Sequence, residues 1–255
     1  MLYEDAGYGF PIILLHGFGE DRTIWDEQVI SLSKKYRVLI PDLPGTGKSI
    51  QKNNEIITID SMAEAIHALL RYEVINECIL FGHSMGGYIT LCFAEKYPEC
   101  LKAWGLIHST AYADSAEKKG MRNKGIEVME QYGGYAFLKN TIPNLFSITS
   151  KQQIPTKISA LIDQSAAFLT STLQAYYATM RDRPDRTHVL SSATAPVLFI
   201  AGTEDVAAPL TDILAQSHLP NKSYIHVLEN IGHMSMLEAP HLLNPFLLQF
   251  IEEVI

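Results

Sequence analysis

Cysteine is scarce in this 255-residue chain: three residues, Cys78, Cys92 and Cys100, an odd number with no C-x-x-C pair. That spacing gives no disulfide framework and no thiolate metal site, so reduced core or surface thiols are expected. Positive charge is also short, with 20 Lys and Arg against 28 Asp and Glu and a net charge of -8. No Lys/Arg cluster offsets this balance, which argues against a nucleic-acid or anionic-membrane partner. No apolar run reaches membrane-spanning length. The start, Met1 followed by Leu2-Tyr3-Glu4-Asp5, has neither the basic region nor the apolar region of a signal peptide. A cytoplasmic location is therefore expected, and the sequon Asn221-Lys222-Ser223 is read as empty.

What the chain has is apolar content, 47% of its residues, enough for one large domain carrying an insertion. Short aliphatic runs alternate with stretches of helical period, the pattern of a parallel sheet with crossover helices. The runs predict strands at Ile12 to Leu15, Arg37 to Ile40, Cys78 to Phe81, Ala103 to Ile107, Val197 to Ala201 and Ser223 to Leu228. Helices are predicted at Trp25 to Lys35, Ile59 to Glu73, Gly86 to Tyr97, Leu210 to Ser217 and Pro240 to Glu253. Between about Tyr112 and Arg186 the alternation stops, and Gly133-Gly134, Pro143, Pro155 and Pro184 divide a helical-period block into about four short helices. The expected architecture is an α/β core of residues 1–111 and 187–255, with a mostly parallel central sheet flanked by helices and a helical cap inserted at 112–186.

The chemistry centres on Gly82-His83-Ser84-Met85-Gly86, a G-x-S-x-G string between a predicted strand and a predicted helix. A sharp strand-to-helix turn lifts its central residue clear of the sheet, and flanking glycines relieve crowding there. A serine hydroxyl needs a base to take its proton and a third group to orient that base. Asp205 follows the predicted strand ending at Ala201, and His233 follows the one ending at Leu228. Both stand beyond carboxyl ends of strands, where sites form in open α/β sheets. After Ile12 to Leu15 comes His16-Gly17-Phe18-Gly19, whose Phe18 N–H, with Met85 N–H, is the expected pair of donors for a developing oxyanion.

These segments, in the order Ser, Asp, His, resemble the α/β-hydrolase superfamily across nearly the whole chain. Trp25, Pro41-Asp42-Leu43-Pro44-Gly45-Thr46-Gly47 and Glu238-Ala239-Pro240 resemble further core blocks of that family. The resemblance implies Ser84 as nucleophile, His233 as general base and then acid, and Asp205 as orienting carboxylate. It implies a cofactor-free serine hydrolase, with no metal, acting through an acyl-enzyme on a carboxylic ester or thioester of a small to medium, mainly apolar substrate. Two departures stand out: only about ten residues precede the H-G-F-G strand, room for at most one edge strand, and Tyr88 stands where C–C bond hydrolases commonly place arginine. C–C bond hydrolysis, perhydrolysis and a non-turnover small-molecule sensor are the alternative readings.

Other residues have plainer readings. Glu204 and Asp114 are less favoured positions for the acid. His16 and His83 flank the presumed site; structural hydrogen bonding is expected of both, and with Tyr88 they are the candidates for the pocket wall. His67, His108, His188, His218, His226 and His241 are given surface or packing roles. Gly45-Thr46-Gly47-Lys48-Ser49 imitates the end of a phosphate-binding loop, but Asp42 stands where the full pattern requires glycine.

Overall fold

The computed structural model describes residues 1–49 and 57–255. Its strands are β1 (Tyr3–Ala6), β2 (Pro11–Leu15), β3 (Arg37–Pro41), β4 (Cys78–His83), β5 (Leu101–Ile107), β6 (Val197–Gly202) and β7 (Ser223–Leu228). They form one seven-stranded sheet in the order β1-β3-β2-β4-β5-β6-β7. Only β1 is antiparallel, paired with β3, and it is the single edge strand that the short N-terminal segment has room for. The other pairings are parallel.

Alternation along each strand sorts the apolar side chains onto two faces. Ile13, Leu15, Leu80, Leu106 and Phe199 pack on one face with Met62 and Ile66 of α2 (Ile59–Tyr72) and Ile89 and Phe93 of α3 (Met85–Lys96). Ile12, Leu14, Phe81, Leu198 and Ile200 pack on the other, against Leu32 of α1 (Asp26–Leu32) and Leu243, Leu247 and Phe250 of α12 (Pro240–Val254). Each such side chain contributes about 1.5–3 kcal/mol by leaving water. Helix α2 begins cleanly because Thr58 and Ser61 cap each other: Ser61 N–H donates to Thr58 Oγ1 and Thr58 N–H to Ser61 Oγ, both at 2.9 Å.

Within residues 112–186 the chain is helical, with α4 (Ala116–Tyr132), α5 (Gly134–Thr141), α6 (Ile148–Gln153), α7 (Pro155–Gln164) and α8 (Thr170–Asp182). That is five α-helices rather than about four. Gly133, at φ +85°, ends α4, and Pro155 starts α7 at its first position, splitting it from α6. Short helices α9 (Thr187–Ser191) and α11 (Ser235–Glu238) carry too few residues to show a period, and sequence patterning missed both. Helix α10 (Leu210–Gln216) lies between the last two strands. The turn after β3 is closed from within: Asp42 accepts hydrogen bonds from Arg22 N–H at 3.1 Å and Lys48 N–H at 2.8 Å. Its carboxylate takes the donors that a phosphate would need.

Candidate active site

Ser84 is the single residue between β4 and α3, and it has φ +51° and ψ -114°. A non-glycine residue in that region stores roughly 1–3 kcal/mol of strain. Its neighbours over-determine the turn. Ser84 N–H donates to Ile107 O at 3.0 Å, and Ser84 O accepts from Gly87 N–H at 2.9 Å and Ser109 Oγ at 2.8 Å. Gly86 allows the start of α3 to press on the end of β2, since a Cβ there would lie 2.6 Å from Leu15 O and 2.8 Å from His16 O. The His16–Gly19 loop is thereby brought beside Ser84. The Ser84 hydroxyl itself has no hydrogen-bond partner among the described residues.

Behind this turn stands a chain of buried polar groups. His233 Nδ1 lies 3.0 Å from Asp205 Oδ1 and 2.9 Å from Oδ2. Because a carboxylate only accepts, Nδ1 carries the proton and Nε2 keeps its lone pair. Nε2 has no partner among the described residues. Burial pulls the His233 pKa down, but the charge and hydrogen bond of Asp205 outweigh it, and the ring stays more basic than an ordinary histidine. Burial pushes Asp205 the other way; attraction to His233 and hydrogen bonds from His108 and His233 overcome it and hold the carboxyl far below the usual range. Asp205 Oδ1 also accepts Ala207 N–H and Ala208 N–H, each at 2.9 Å.

His108 is the participant that sequence reasoning missed. Given a packing role there, it is fully buried with Nδ1 2.9 Å from Asp205 Oδ2 and Nε2 2.8 Å from Ser235 Oγ. Burial lowers its pKa despite Asp205, so it stays neutral, donating from Nδ1 and accepting from Ser235. Its position immediately beyond the carboxyl end of β5 was the available signal. His108, Asp205 and His233 offer ligand atoms within 4.8 Å of one another. Their facing atoms are joined to one another by hydrogen bonds through Asp205.

Glu20, also unremarked in the sequence, fixes the loop on the other side of Ser84. Its Oε2 accepts Gly17 N–H at 2.7 Å and lies 3.0 Å from His83 Nδ1, while His83 Nε2 lies 3.0 Å from the carbonyl of His233. Burial pushes Glu20 up, but the charge and hydrogen bond of His83 and the Gly17 N–H hold it below the ordinary carboxylate range. Glu20 and His83 therefore tie the H-G-F-G loop, the serine-bearing turn and the His233 backbone into one unit. Phe18 N–H has no partner among the described residues, nor does Met85 N–H, which is left free by its place at the first position of α3.

A cavity of about 120 Å³ opens over this unit, with Ser84 and His233 on its floor. Phe18, Glu20, Ala207 and Ala208 complete the core side, and Leu138, Ile142, Leu145 and Tyr177 close it from the helical insertion. The insertion also touches His233 directly, since His233 N–H donates to Leu145 O at 2.7 Å. Of the expected wall residues Tyr88 lines the cavity, whereas His16 and His83 stand behind it, fully buried. His16 Nε2 accepts from Leu43 N–H at 3.0 Å, which accounts for it structurally. Glu204 accepts Ile148 N–H at 2.8 Å, and Asp114 is paired with Arg122 and Arg183, so neither carboxylate serves His233.

Comparison with known proteins gives the family and the fold. A thermophilic esterase from Thermogutta terrifontis, in a malate-bound structure, is 29% identical and superposes with a TM-score of 0.94 over 99% of this chain and 93% of its own. Lipase 3 of Moraxella sp. (strain TA144) is 24% identical over 250 residues, covering 92% of this chain and 75% of the lipase. The 2-hydroxy-6-oxononadienedioate/2-hydroxy-6-oxononatrienedioate hydrolase of Burkholderia vietnamiensis is 27% identical over 261 residues, covering 98% of this chain and 90% of that enzyme. The sequence profile of the Alpha/beta hydrolase family matches residues 12–246. A parallel sheet with one antiparallel edge strand, a serine at the corner between its central strand and helix, and a profile match of this extent lead to one conclusion: the chain belongs to the alpha/beta hydrolase family.

Proposed function

We propose that the protein is a serine hydrolase that cleaves a small carboxylic ester or thioester through an acyl-enzyme on Ser84. The observation that carries this reading is that the unbonded Ser84 hydroxyl and His233 line one cavity, with His233 held by Asp205 so that its free nitrogen is the basic one. Ser84 Oγ attacks the substrate carbonyl as His233 Nε2 takes its proton. The electron pair of the carbonyl moves onto its oxygen, which Phe18 N–H and Met85 N–H receive; one such donor is worth roughly 3 kcal/mol in the transition state. The imidazolium, stabilised by the Asp205 charge, then protonates the departing alcohol or thiol as its bond breaks. Water enters and attacks the acyl carbon as His233 takes its proton; the imidazolium then returns that proton to Ser84 Oγ as the acyl–oxygen bond breaks and the acid leaves.

The size of the cavity limits the acyl part. At about 120 Å³ it is a little below the ~150 Å³ of cavities that take up benzene. A short chain of a few carbons fits against Phe18, Leu138, Ile142, Leu145 and Tyr177, with the leaving group directed outward.

The test is turnover of 4-nitrophenyl acetate and butyrate. Sustained release of nitrophenolate by the wild type, abolished in Ser84→Ala, is expected. A single stoichiometric burst points instead to a sensor that is acylated once, and unchanged turnover in Ser84→Ala refutes the proposed nucleophile.

A further inference from the structure

One wall of the cavity is charged. Arg122, on α4, lines the same space as Ser84 and His233. Its guanidinium lies 4.7 Å from the centre of the Tyr177 ring, and its Nε donates to Asp114 Oδ2 at 3.1 Å. The other oxygen of Asp114 is taken by a second arginine, Arg183 Nη1 at 2.8 Å. Two guanidinium groups thus share one buried carboxylate, and Asp114 is the only acid paired with either among the described residues. The cluster carries an uncompensated positive charge. Tyr88 and Tyr177 flank it, with Arg183 stacked 3.8 Å over the Tyr88 ring. The remaining acid in the cavity wall, Glu20, is engaged by His83 and Gly17 N–H.

A purely structural arginine would have its charge matched. Here Asp114 engages Arg122 through Nε alone, and the guanidinium lies over the Tyr177 ring. Close packing of α4 on α8 fixes this placement: a Cβ on Gly125, one turn beyond Arg122, would lie 2.6 Å from Tyr177 Cε1. A guanidinium held through Nε in the wall of a largely apolar cavity keeps its other nitrogens available and is suited to bidentate binding of a carboxylate.

We infer that Arg122 anchors a carboxylate on the substrate, so that the preferred substrates are short acyl compounds bearing a free acid group at the end remote from the bond that is cleaved. This rests on the proposed Ser84 chemistry for the reaction, though not for the binding. The anchored acid and the Ser84-bound carbonyl span the cavity, which favours half-esters of short dicarboxylic acids over neutral esters of the same length.

The experiment compares kcat/KM for mono-4-nitrophenyl glutarate and 4-nitrophenyl butyrate in wild type, Arg122→Gln and Arg122→Lys. The wild type is expected to prefer the anionic ester at least tenfold. Arg122→Gln should lower the ratio of the two values at least tenfold, with Arg122→Lys, which keeps the charge and loses the fork, in between. A ratio near one in the wild type, or the same ratio in Arg122→Gln, overturns the inference. Calorimetric binding of glutarate to Ser84→Ala protein gives a readout without turnover: affinity should fall at least tenfold when Arg122→Gln is added. Equal affinity in the two backgrounds, or no binding in either, also overturns it. Glutarate binding that depends on Arg122 in a protein that hydrolyses neither ester would uphold the carboxylate anchor while refuting the serine hydrolase reading.

Discussion

Replacing Asp205 by asparagine exchanges one oxygen for an amino group, and the surrounding hydrogen bonds dictate which. Ala207 N–H and Ala208 N–H both donate to Oδ1 at 2.9 Å, so the amide oxygen must stay there. The amide NH₂ then faces the Nδ1 atoms of His108 and His233, which lie 2.9 Å from Oδ2. A donor facing Nδ1 forces the proton of His233 onto Nε2, and the nitrogen that should accept from Ser84 no longer can. The expected loss is about 10⁴-fold in kcat, or about 5.4 kcal/mol, with the fold retained. The acidic limb of the pH–rate profile should move as well. The base acts unprotonated, and Asp205 keeps His233 more basic than usual, so wild-type kcat/KM should rise with pH through a value above ~6.5; without the carboxylate charge that limb shifts to lower pH. Stability follows by linkage. The depressed Asp205 pKa stabilises the fold above the ordinary carboxylate value and that contribution is lost as pH falls below it. The raised His233 pKa contributes below ~6.5 and is lost as pH rises through the folded value. Steady-state ester hydrolysis across pH, with urea melts as the control for folding, measures all of this. A kcat within a few-fold of wild type would refute the reasoning.

Two further substitutions probe the groups around the base and the loop. Glu20→Gln removes one partner of a buried pair and weakens the acceptor for Gly17 N–H; a cost of about 3 kcal/mol in urea unfolding is expected, together with a fall in kcat as the H-G-F-G loop loosens, and an unchanged melt would contradict it. His108→Gln withdraws a ring donor from Asp205 and leaves Ser235 without its partner. About a tenfold loss of kcat at constant KM is expected, with a shift in the pH–rate profile that a merely packing residue would not produce.

Legibility in the sequence followed physical range. The strands from β2 to β6 stood out because burial on both faces demands continuous aliphatic runs, and their ends were misjudged by only one or two residues, while β7, exposed at alternate residues, matched its expected bounds. Gly202, for example, extends β6 without looking apolar. Ser84, Asp205 and His233 were legible because each stands just past such a run, where the fold gathers its loops. Their partners were not. Glu20 meets His83 across 63 positions and His108 meets Asp205 across 97, distances over which no local pattern operates. Arg122 had even less to mark it. It sits in a polar helix of low periodicity, and its meaning depends on Tyr177 and Asp114, which only packing of α4 against α8 brings together.

The central claim is a covalent intermediate on Ser84, and the most direct measurement is the site of modification by an active-site-directed fluorophosphonate, located by mass spectrometry of the digested protein. A single adduct on the peptide carrying Ser84 is expected, lost in Ser84→Ala and formed far more slowly in His233→Ala. No adduct, an adduct on Ser109 or Ser235, or labelling at the wild-type rate in His233→Ala would contradict it.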